Sequence, residues 1–288
     1  MFHDRGGTFV IACVLLASGP WLPITSSIAS EPLAKGIQDN SFFIEEAYNQ
    51  EPGVVQHIFN LPIDFTNGSR EIGPSFTQEW PVFSQTHQFS YTIPYVFTED
   101  DNAMEDMRLN YRLQAFIEDK YTPAFAPRLS LVLPTGDQAK GFGVGVVGYE
   151  FNLPFSKIVS DRWTLHFNSG MSVFPNAHQS RHLTNYNVGA SAIYAVSRDF
   201  NLMLEAVAGW NEDIAEGAFA FEETTVERTS TAIISPGARY AFNLPNDAQL
   251  VVGAALPVGL TYDSPDWGVF FYCSFEHPFM RTGARQTK

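Results

Sequence analysis

The feature that most restricts the fold of this chain is an alternation of apolar and polar residues with a period of two. Its clearest instance covers residues 107–118, where Leu109, Tyr111 and Leu113 fall on one face and Arg108 and Arg112 on the other. Successive side chains of a β-strand point to opposite faces, whereas a helix would scatter them around its circumference. The pattern therefore predicts β-strands with one apolar and one polar face.

Ten further segments show the same alternation, some of them more weakly. The eleven predicted strands are 54–61, 82–97, 107–118, 126–133, 142–153, 163–173, 186–196, 200–210, 229–243, 250–260 and 269–275. From residue 98 onwards, short turns alternate with the longer polar loops 98–106, 175–182, 211–228 and 262–266, as in outer-membrane barrels. This alternation predicts a periplasmic C-terminus. Strand parity then predicts a twelfth strand within residues 41–48, with residues 62–81 as a long connection.

The apolar content agrees with a barrel rather than with membrane-spanning helices. The sequence has 25 Phe and 11 Tyr and is only 17% charged. No apolar run after residue 29 approaches the ~20 residues that a helical span needs. A barrel needs apolar residues only at alternate positions, because its main-chain groups bond between strands. The predicted fold is therefore all-β: one antiparallel transmembrane β-barrel of about 12 strands over residues 30–288.

The N-terminal residues have the features of a secretory signal peptide. Arg5 is followed by an apolar stretch over residues 8–17, and Ser27-Ile28-Ala29 offers small residues for cleavage after Ala29. Pro20 and Pro23 interrupt the apolar run before it could span a bilayer. We therefore predict that residues 1–29 are a cleaved signal peptide. The barrel would then reside in the outer membrane of a Gram-negative bacterium, with lipid as its surroundings and the barrel-assembly machinery as its partner during biogenesis.

Charge and cysteine content argue against several classes of function. The net charge of −14 disfavours nucleic acid as a partner, because nucleic-acid binding needs a basic face. Cys273 is the only cysteine after residue 29, so neither an internal disulfide nor a cysteine-based zinc site is predicted. No cofactor and no metal site are expected.

Motifs that would indicate an enzyme are weak. Residues 143–148 match the dinucleotide fingerprint G-x-G-x-x-G, but that motif works only where a strand turns into a helix. Here the glycines are predicted to lie within strand 142–153. No G-x-S-x-G elbow occurs. His166 and Ser169 are close in sequence but face opposite sides of their strand. No catalytic residues are predicted; a Ser–His pair within hydrogen-bonding distance would revive a hydrolase hypothesis.

Polar residues on the predicted inner faces are the candidate functional residues. A charged side chain that faces lipid at mid-depth is costly, so these groups are expected to point into the lumen. They could brace the wall as ion pairs, for example Arg112 with Glu150, or line a narrow polar path, and both roles are compatible. The proposed lumen-lining residues are Arg108, Arg112, Gln114, Glu118, Glu150, His166, Glu205, Arg239 and Glu276.

Two segments resemble a known family. Residues 45–58 (EEAYNQEPGVVQHI) are similar to the N-terminal signature of outer-membrane transporters of the phenol-degradation MetA-pathway type, and residues 128–137 (RLSLVLPTGD) resemble a strand-and-turn signature of the same family. The resemblance implies an outer-membrane barrel with a transport role, and the family name points to aromatic or other apolar compounds. It implies no catalytic residues. The chain departs from the usual barrel ending, because nine residues follow Phe279.

These observations lead to three functional hypotheses. The first is a porin-like channel or transporter that passes a small molecule across the outer membrane by passive diffusion. The second is a barrel that transports nothing and has a structural or surface-binding role, with residues 211–228 as a binding loop. The third is a hydrolase embedded in the membrane.

Overall fold

The computed structural model describes residues 31–178, 181–214 and 226–279; the predicted signal peptide lies outside this part, and its cleavage stays a prediction. The described residues form one antiparallel sheet. Its strands are β1 (Val54–Thr66), β2 (Ser69–Ile72), β3 (Ser75–Val82), β4 (Ser84–Phe97), β5 (Asn102–Met104), β6 (Met107–Leu113), β7 (Ala124–Phe125), β8 (Arg128–Leu133), β9 (Gly148–Asn152), β10 (Phe155–Ile158), β11 (Trp163–His178), β12 (Arg181–Ala195), β13 (Phe200–Ile214), β14 (Val226–Leu244), β15 (Ala248–Ala255), β16 (Val258–Gly259) and β17 (Trp267–Pro278).

The sheet closes on itself, which confirms the predicted antiparallel barrel. β1 pairs with β17 along almost its whole length, from Val54 opposite Pro278 to Phe65 opposite Trp267. Five of the barrel strands are interrupted, and each consists of two consecutive short segments: β2 and β3, β5 and β6, β7 and β8, β9 and β10, and β15 and β16. The closed barrel therefore has 12 strands.

Proline explains four of the five interruptions. Pro74, Pro127, Pro154 and Pro257 lie between the two segments of their strands. Proline has no N–H to donate to the neighbouring strand, so the hydrogen-bond ladder is broken at each of these positions. The barrel continues past each break because the flanking segments pair with the same neighbouring strands.

The twelfth strand was predicted in the wrong place. Residues 41–48 form no strand; instead β2 and β3 occupy the region that had been predicted as the connection 62–81. A tight turn at Asn67-Gly68 joins β1 to β2, with positive φ values of 52° and 89°. Asn-Gly favours this hairpin geometry because both residues tolerate positive φ. The parity argument was correct about the number of strands, but residues 41–48 are not the twelfth strand.

The two faces of the barrel wall differ as the alternation predicts. On β13, Leu202 and Leu204 are exposed on the outer face, whereas Asn201, Met203 and Glu205 are buried on the inner face. Exposed aromatic side chains lie near the strand ends, as in the interfacial belts of membrane barrels; they include Trp163, Tyr186, Trp210, Tyr240, Phe242 and Trp267. The structure also contains the 3₁₀ helices η1 (Leu33–Lys35) and η2 (Gln138–Lys140), and within the described ranges no helix is long and apolar enough to cross a membrane.

The two ends of the barrel carry different connections. At the terminal end, where β1 begins and β17 ends, lie residues 83, 114–123, 159–162, 196–199 and 245–247; at the opposite end, the loop end, lie residues 67–68, 98–101, 134–147 and 260–266. Several connections differ from the prediction. In the predicted loop 98–106, residues Asn102–Met104 form β5. β6 stops at Leu113, with only an isolated bridge from Phe116 to Phe125 beyond it. The predicted loops 175–182 and 211–228 are partly strand, with residues 179–180 and 215–225 outside the described part.

The glycine motif of residues 143–148 lies mostly in a loop. Gly143 and Gly145 lie in the loop 134–147 with positive φ values of 99° and 74°, and only Gly148 belongs to a strand. The buried Asp106 carboxylate accepts hydrogen bonds from the amides of Gly136, at 2.9 Å, and Val144, at 2.8 Å. The expectation that these glycines lie within a strand was therefore wrong, and Asp106 fastens the loop to the barrel.

Replacing Asp106 with alanine is expected to destabilise the barrel by about 1–3 kcal/mol, because two amides lose their acceptor. Denaturant unfolding in lipid vesicles would measure this loss. Asp101→Ala is the control, because Asp101 forms an exposed ion pair with Lys140 at 2.7 Å that lowers the pKa of the Asp101 carboxyl. Exposed pairs contribute little, so this variant should unfold like the wild type. Equal loss of stability in both variants would contradict the assigned role of Asp106.

Candidate functional site

The lumen of the barrel is occupied by the chain's own N-terminal region. Residues 37–50, here called the lumen segment, lie inside the barrel and form neither helix nor strand. Most of their side chains are buried, including Asp39, Phe42, Ile44, Glu46 and Asn49. The segment contains the first part of the first resemblance signature, residues 45–50 of 45–58, and the rest of that signature leads into β1.

Two arginines of the wall hold the main chain of this segment. Arg112 on β6 donates from Nη1 to the carbonyl oxygen of Glu46, at 3.1 Å, and from Nη2 to that of Tyr48, at 2.9 Å. Arg239 on β14 donates from Nη1 to the carbonyl oxygens of Asp39, at 2.6 Å, and Asn40, at 2.7 Å. Both arginines are buried, so their charged groups are compensated by these carbonyls rather than by water.

Carboxylate and amide side chains of the wall accept the amides of the segment. Glu205 accepts the N–H groups of Phe42, at 3.3 Å, and Phe43, at 3.0 Å. Asn168 on β11 accepts the amide of Glu45 at 2.9 Å and donates to the carbonyl oxygen of the same residue at 2.9 Å. Because these contacts involve main-chain atoms, the wall satisfies polar groups that burial would otherwise leave unpaired.

Gln114 and Gln88 extend this arrangement towards the terminal end. Gln114 accepts the amide of Asn49 at 2.8 Å and donates to the carbonyl oxygen of Ala47 at 2.7 Å. Gln88 on β4 accepts the amide of Gln50 at 2.8 Å. The segment is therefore bound along its length, from Asp39 to Gln50, by side chains from several strands.

Asp39 is one of the buried side chains of the segment that make polar contacts to the wall. Its Oδ1 atom accepts hydrogen bonds from Gln56 Nε2 and from the Tyr272 hydroxyl, both at 2.6 Å. Two further anchors are the Ser41 and Ser191 hydroxyls, 2.8 Å apart, and the ion pair of Glu45 with Arg128, at 2.8 Å. Side-chain contacts thus add to the main-chain contacts but are fewer.

A group of charged residues lies in the lumen on the loop-end side of the segment. Glu150 on β9 pairs with Arg108, at 3.0 Å, and with Arg128, at 3.6 Å. Arg112 lies 3.8 Å from Glu79 instead. The expected pairing of Arg112 with Glu150 is therefore wrong, because Arg112 is directed towards the lumen segment and Arg108 occupies the position beside Glu150.

The segment divides the lumen into separate cavities. A cavity of about 280 Å³ opens on the loop-end side and borders Phe42, Phe43, Arg108, Glu150 and Tyr272, with a smaller cavity of about 220 Å³ beside it. A cavity of about 790 Å³ lies on the terminal side. No residue lines both the 280 Å³ and the 790 Å³ cavity. The lumen segment therefore separates two water-accessible spaces.

The terminal cavity has its own charged residues. Glu118 accepts a hydrogen bond from the Tyr48 hydroxyl and pairs with Lys157 at 2.8 Å. Asp119, in the connection 114–123, accepts the amides of Thr122 and Tyr121, and these hydrogen bonds lower the pKa of its carboxyl. Glu118 and Glu276, both predicted lumen residues, border this cavity.

A Ser–His pair does occur under the lumen segment. Ser156 Oγ lies 2.7 Å from His166 Nδ1, and the same hydroxyl accepts the amide of Ala47 at 2.7 Å. The distance condition of the hydrolase hypothesis is met, but Ser156 and His166 are only 1% and 3% exposed. A substrate cannot reach a hydroxyl that is buried and already bonded to the segment, so this geometry describes an anchor for Ala47.

The nine predicted lumen residues fall into four groups. Arg112, Gln114, Glu205 and Arg239 bind the segment; Arg108 and Glu150 border the loop-end cavity; Glu118 and Glu276 border the terminal cavity, and His166 supports Ser156. The functional residues that were missed are Asp39, Glu79, Gln88, Arg128 and Asn168. For Gln88 and Asn168 a signal was present, because inner-face Asn and Gln side chains are too large and polar to be buried without a partner.

Comparisons with known proteins concern the family and the barrel fold. A family model described as "Putative MetA-pathway of phenol degradation" matches residues 55–271. The structure is similar to the COG4313 outer membrane channel from Pseudomonas putida F1, with a TM-score of 0.57 and 11% sequence identity over 80% of this chain and 97% of that chain. The NanC porin is less similar, with a TM-score of 0.45 and 8% identity over 76% and 98% of the two chains. No curated protein matches the sequence. The similarity to the COG4313 channel shows a shared fold.

Proposed function

Because this chain belongs to the family described as "Putative MetA-pathway of phenol degradation", we propose that it is an outer-membrane channel for small solutes whose lumen is occluded by its own N-terminal segment. Solutes enter by passive diffusion, from the loop end, which faces the cell exterior, while the terminal end faces the periplasm. The proposal includes cleavage of residues 1–29 during export and closure of β1 on β17 with the help of the barrel-assembly machinery.

One observation carries this proposal: the lumen segment lies across a polar, closed barrel and leaves cavities on both sides of itself. A structural barrel has no need of two water-accessible spaces that are separated by a segment of its own chain. Twelve strands also enclose less space than the 16–18 strands of water-filled porins. We therefore expect a small conductance that depends on the position of the segment.

The loop-end cavity indicates the kind of solute. Phe42, Phe43 and Tyr272 supply aromatic surface, and Arg108 and Glu150 supply charge. Its volume of about 280 Å³ is near the lower end of the range for ligand pockets. A small molecule with an aromatic or apolar body and a polar group matches this lining. In this proposal the nine predicted polar residues line the solute path or hold the segment that closes it.

Two other functions receive less support. A hydrolase would need Ser156 and His166 to be accessible, and both are buried beneath Ala47. A barrel that transports nothing is favoured by one observation, the many hydrogen bonds that hold the lumen segment. A channel should pass current when the segment is free to move, whereas neither of these two alternatives requires any current.

A disulfide that locks the segment would test the proposal. Ser41 and Ser191 have hydroxyls 2.8 Å apart and are both 3% exposed, so cysteines at these positions can bond. In a Cys273→Ser background, oxidised S41C/S191C should show no single-channel current and no solute uptake into liposomes, and reduction should restore the wild-type values. The single variants S41C and S191C are controls and should not respond to oxidation.

Two results of this experiment would contradict the proposed channel function. If current is the same in the oxidised and reduced forms, with the disulfide verified by mass spectrometry, solutes do not pass by the segment. If neither form nor the wild type conducts or takes up solute, the structural barrel becomes the better account.

A further inference from the structure

The lumen contacts its segment mainly through main-chain atoms. Side chains of the wall accept the amides of Phe42, Phe43, Glu45, Ala47, Asn49 and Gln50 and donate to the carbonyl oxygens of Ile37, Asp39, Asn40, Glu45, Glu46, Ala47, Tyr48 and Asn49. Main-chain groups are the same in every peptide, so such contacts favour a peptide as a class of ligand. Specificity for one peptide over another must come from the places where the wall contacts side chains of the peptide.

Two of those places are notches in the wall formed by glycine. The ring of Phe42 lies against Gly253 so closely that a Cβ atom there would be 2.5 Å from the ring. The end of the Ile44 side chain lies 2.3 Å from the corresponding position at Gly189. These glycines leave room for an aromatic residue and, two positions later, a branched apolar residue. Arg128 then receives the carboxylate of the next residue, Glu45.

We propose that the lumen is a peptide-binding site, which in this structure holds residues 37–50 and which accepts a separate peptide when that segment is withdrawn. The ligand class is a non-helical peptide with an aromatic residue, a branched apolar residue two positions later, and an acidic residue after that. The inference rests on the proposed function only in placing the site in the same lumen.

The terminal end supplies a route for exchange. Glu51 and Pro52, which follow the segment, are exposed. The 790 Å³ cavity borders Tyr48, Asn49, Gln50 and Glu51 and lies on the same side. A cut between the segment and β1 would therefore leave the barrel strands intact. The segment would then be held by the contacts described above and by those of the preceding residues, in which the Ala34 amide donates to the Asp161 carbonyl oxygen at 2.9 Å and Glu31 pairs with Arg198 at 3.6 Å.

The test uses the full chain, folded first and then cut. A protease site is inserted between Glu51 and Pro52, and the purified protein is cleaved in detergent after folding. A fluorescent peptide of residues 37–50 is then added, and its binding is followed by anisotropy. We expect saturable uptake of the peptide into the cut protein and none into the uncut protein, which is the matched control.

Modified peptides separate the two kinds of recognition. N-methylation of the amides of Phe43, Glu45, Ala47 and Asn49 removes four main-chain donors and should weaken binding at least about 30-fold. Replacing Phe42 of the peptide with alanine should weaken binding by about 10-fold or more, because the ring leaves its notch empty. Replacing the exposed Gln38 with alanine should leave the affinity unchanged.

Three results would overturn the inference: no exchange of the cut segment over several days, binding that does not saturate, or N-methylated peptide that binds as well as the unmodified one. Binding is read by fluorescence in detergent and does not depend on current. A protein that binds peptide but fails the disulfide test would therefore keep the binding site and lose the channel function. A protein that passes the disulfide test but binds no peptide would keep the channel function and lose the binding site.

Discussion

Simultaneous replacement of Arg112 and Arg239 with alanine is expected to raise the single-channel conductance well above that of the wild type. The two guanidinium groups donate to the carbonyl oxygens of Asp39, Asn40, Glu46 and Tyr48 in the lumen segment. Hydrogen bonds to charged groups contribute about 1.5–3 kcal/mol each. A combined loss of only about 3 kcal/mol would shift the equilibrium between docked and withdrawn segment about 100-fold towards withdrawal.

Planar-bilayer recordings of the two single variants and the double variant would measure this effect, which should be larger in the double variant than in either single one. Arg162→Ala is the matched control, because Arg162 also donates to two carbonyl oxygens, those of Ala195 and Val196, but both belong to the barrel. Its conductance should stay at the wild-type value. An unchanged conductance in the double variant, with the barrel folded, would mean that the arginines do not hold the lumen closed.

The second large effect is expected on the lipid-facing surface. Leu204 lies on the outer face of β13, between Phe200 and Trp210, and its side chain is 49% exposed. An arginine at the midplane of a membrane barrel costs about 2–4 kcal/mol, whereas near the interface the cost falls to about 0–1 kcal/mol. Leu204→Arg should therefore lower the free energy of unfolding by about 2–4 kcal/mol.

Leu244→Arg provides the control for depth. Leu244 is also exposed on the outer face, but it is the last residue of β14 at the terminal end. Denaturant titrations of both variants in lipid vesicles should show the larger loss for Leu204. Equal losses would mean that the two positions lie at the same depth, and no loss at Leu204 would remove it from the lipid-facing band.

The misplaced twelfth strand shows where an argument from local pattern fails. Residues 41–48 contain apolar residues such as Phe42 and Ile44, and the strand count required one more strand. Pro74 lies between β2 and β3 and Pro81 lies within β3, and these prolines obscure the alternation. A narrow lumen can bury apolar side chains just as the lipid can, so composition alone does not distinguish a segment inside the barrel from a strand in its wall.

The register between neighbouring strands determined which charged residues form ion pairs. Arg112 lies directly opposite Arg128 in the pairing of β6 with β8, and Ser130 lies opposite Glu150 in the pairing of β8 with β9. Two positive charges on neighbouring strands need different partners. Arg128 pairs with the carboxylates of Glu150 and Glu45, and Arg112 binds the lumen segment. The alternation identified the inner face of each strand but carried no information about neighbours across the lumen.

The sequence by itself determined the all-β class, the outward and inward faces of most strands, and the polar character of the lumen, because the side-chain period of a strand is a local property. The tertiary structure alone decided that the lumen is filled, and by which residues. Phe42 meets Glu205 across 163 positions of sequence, through a main-chain amide. Every residue except proline has such an amide, so no side-chain pattern could mark these as the ones that the wall would bind.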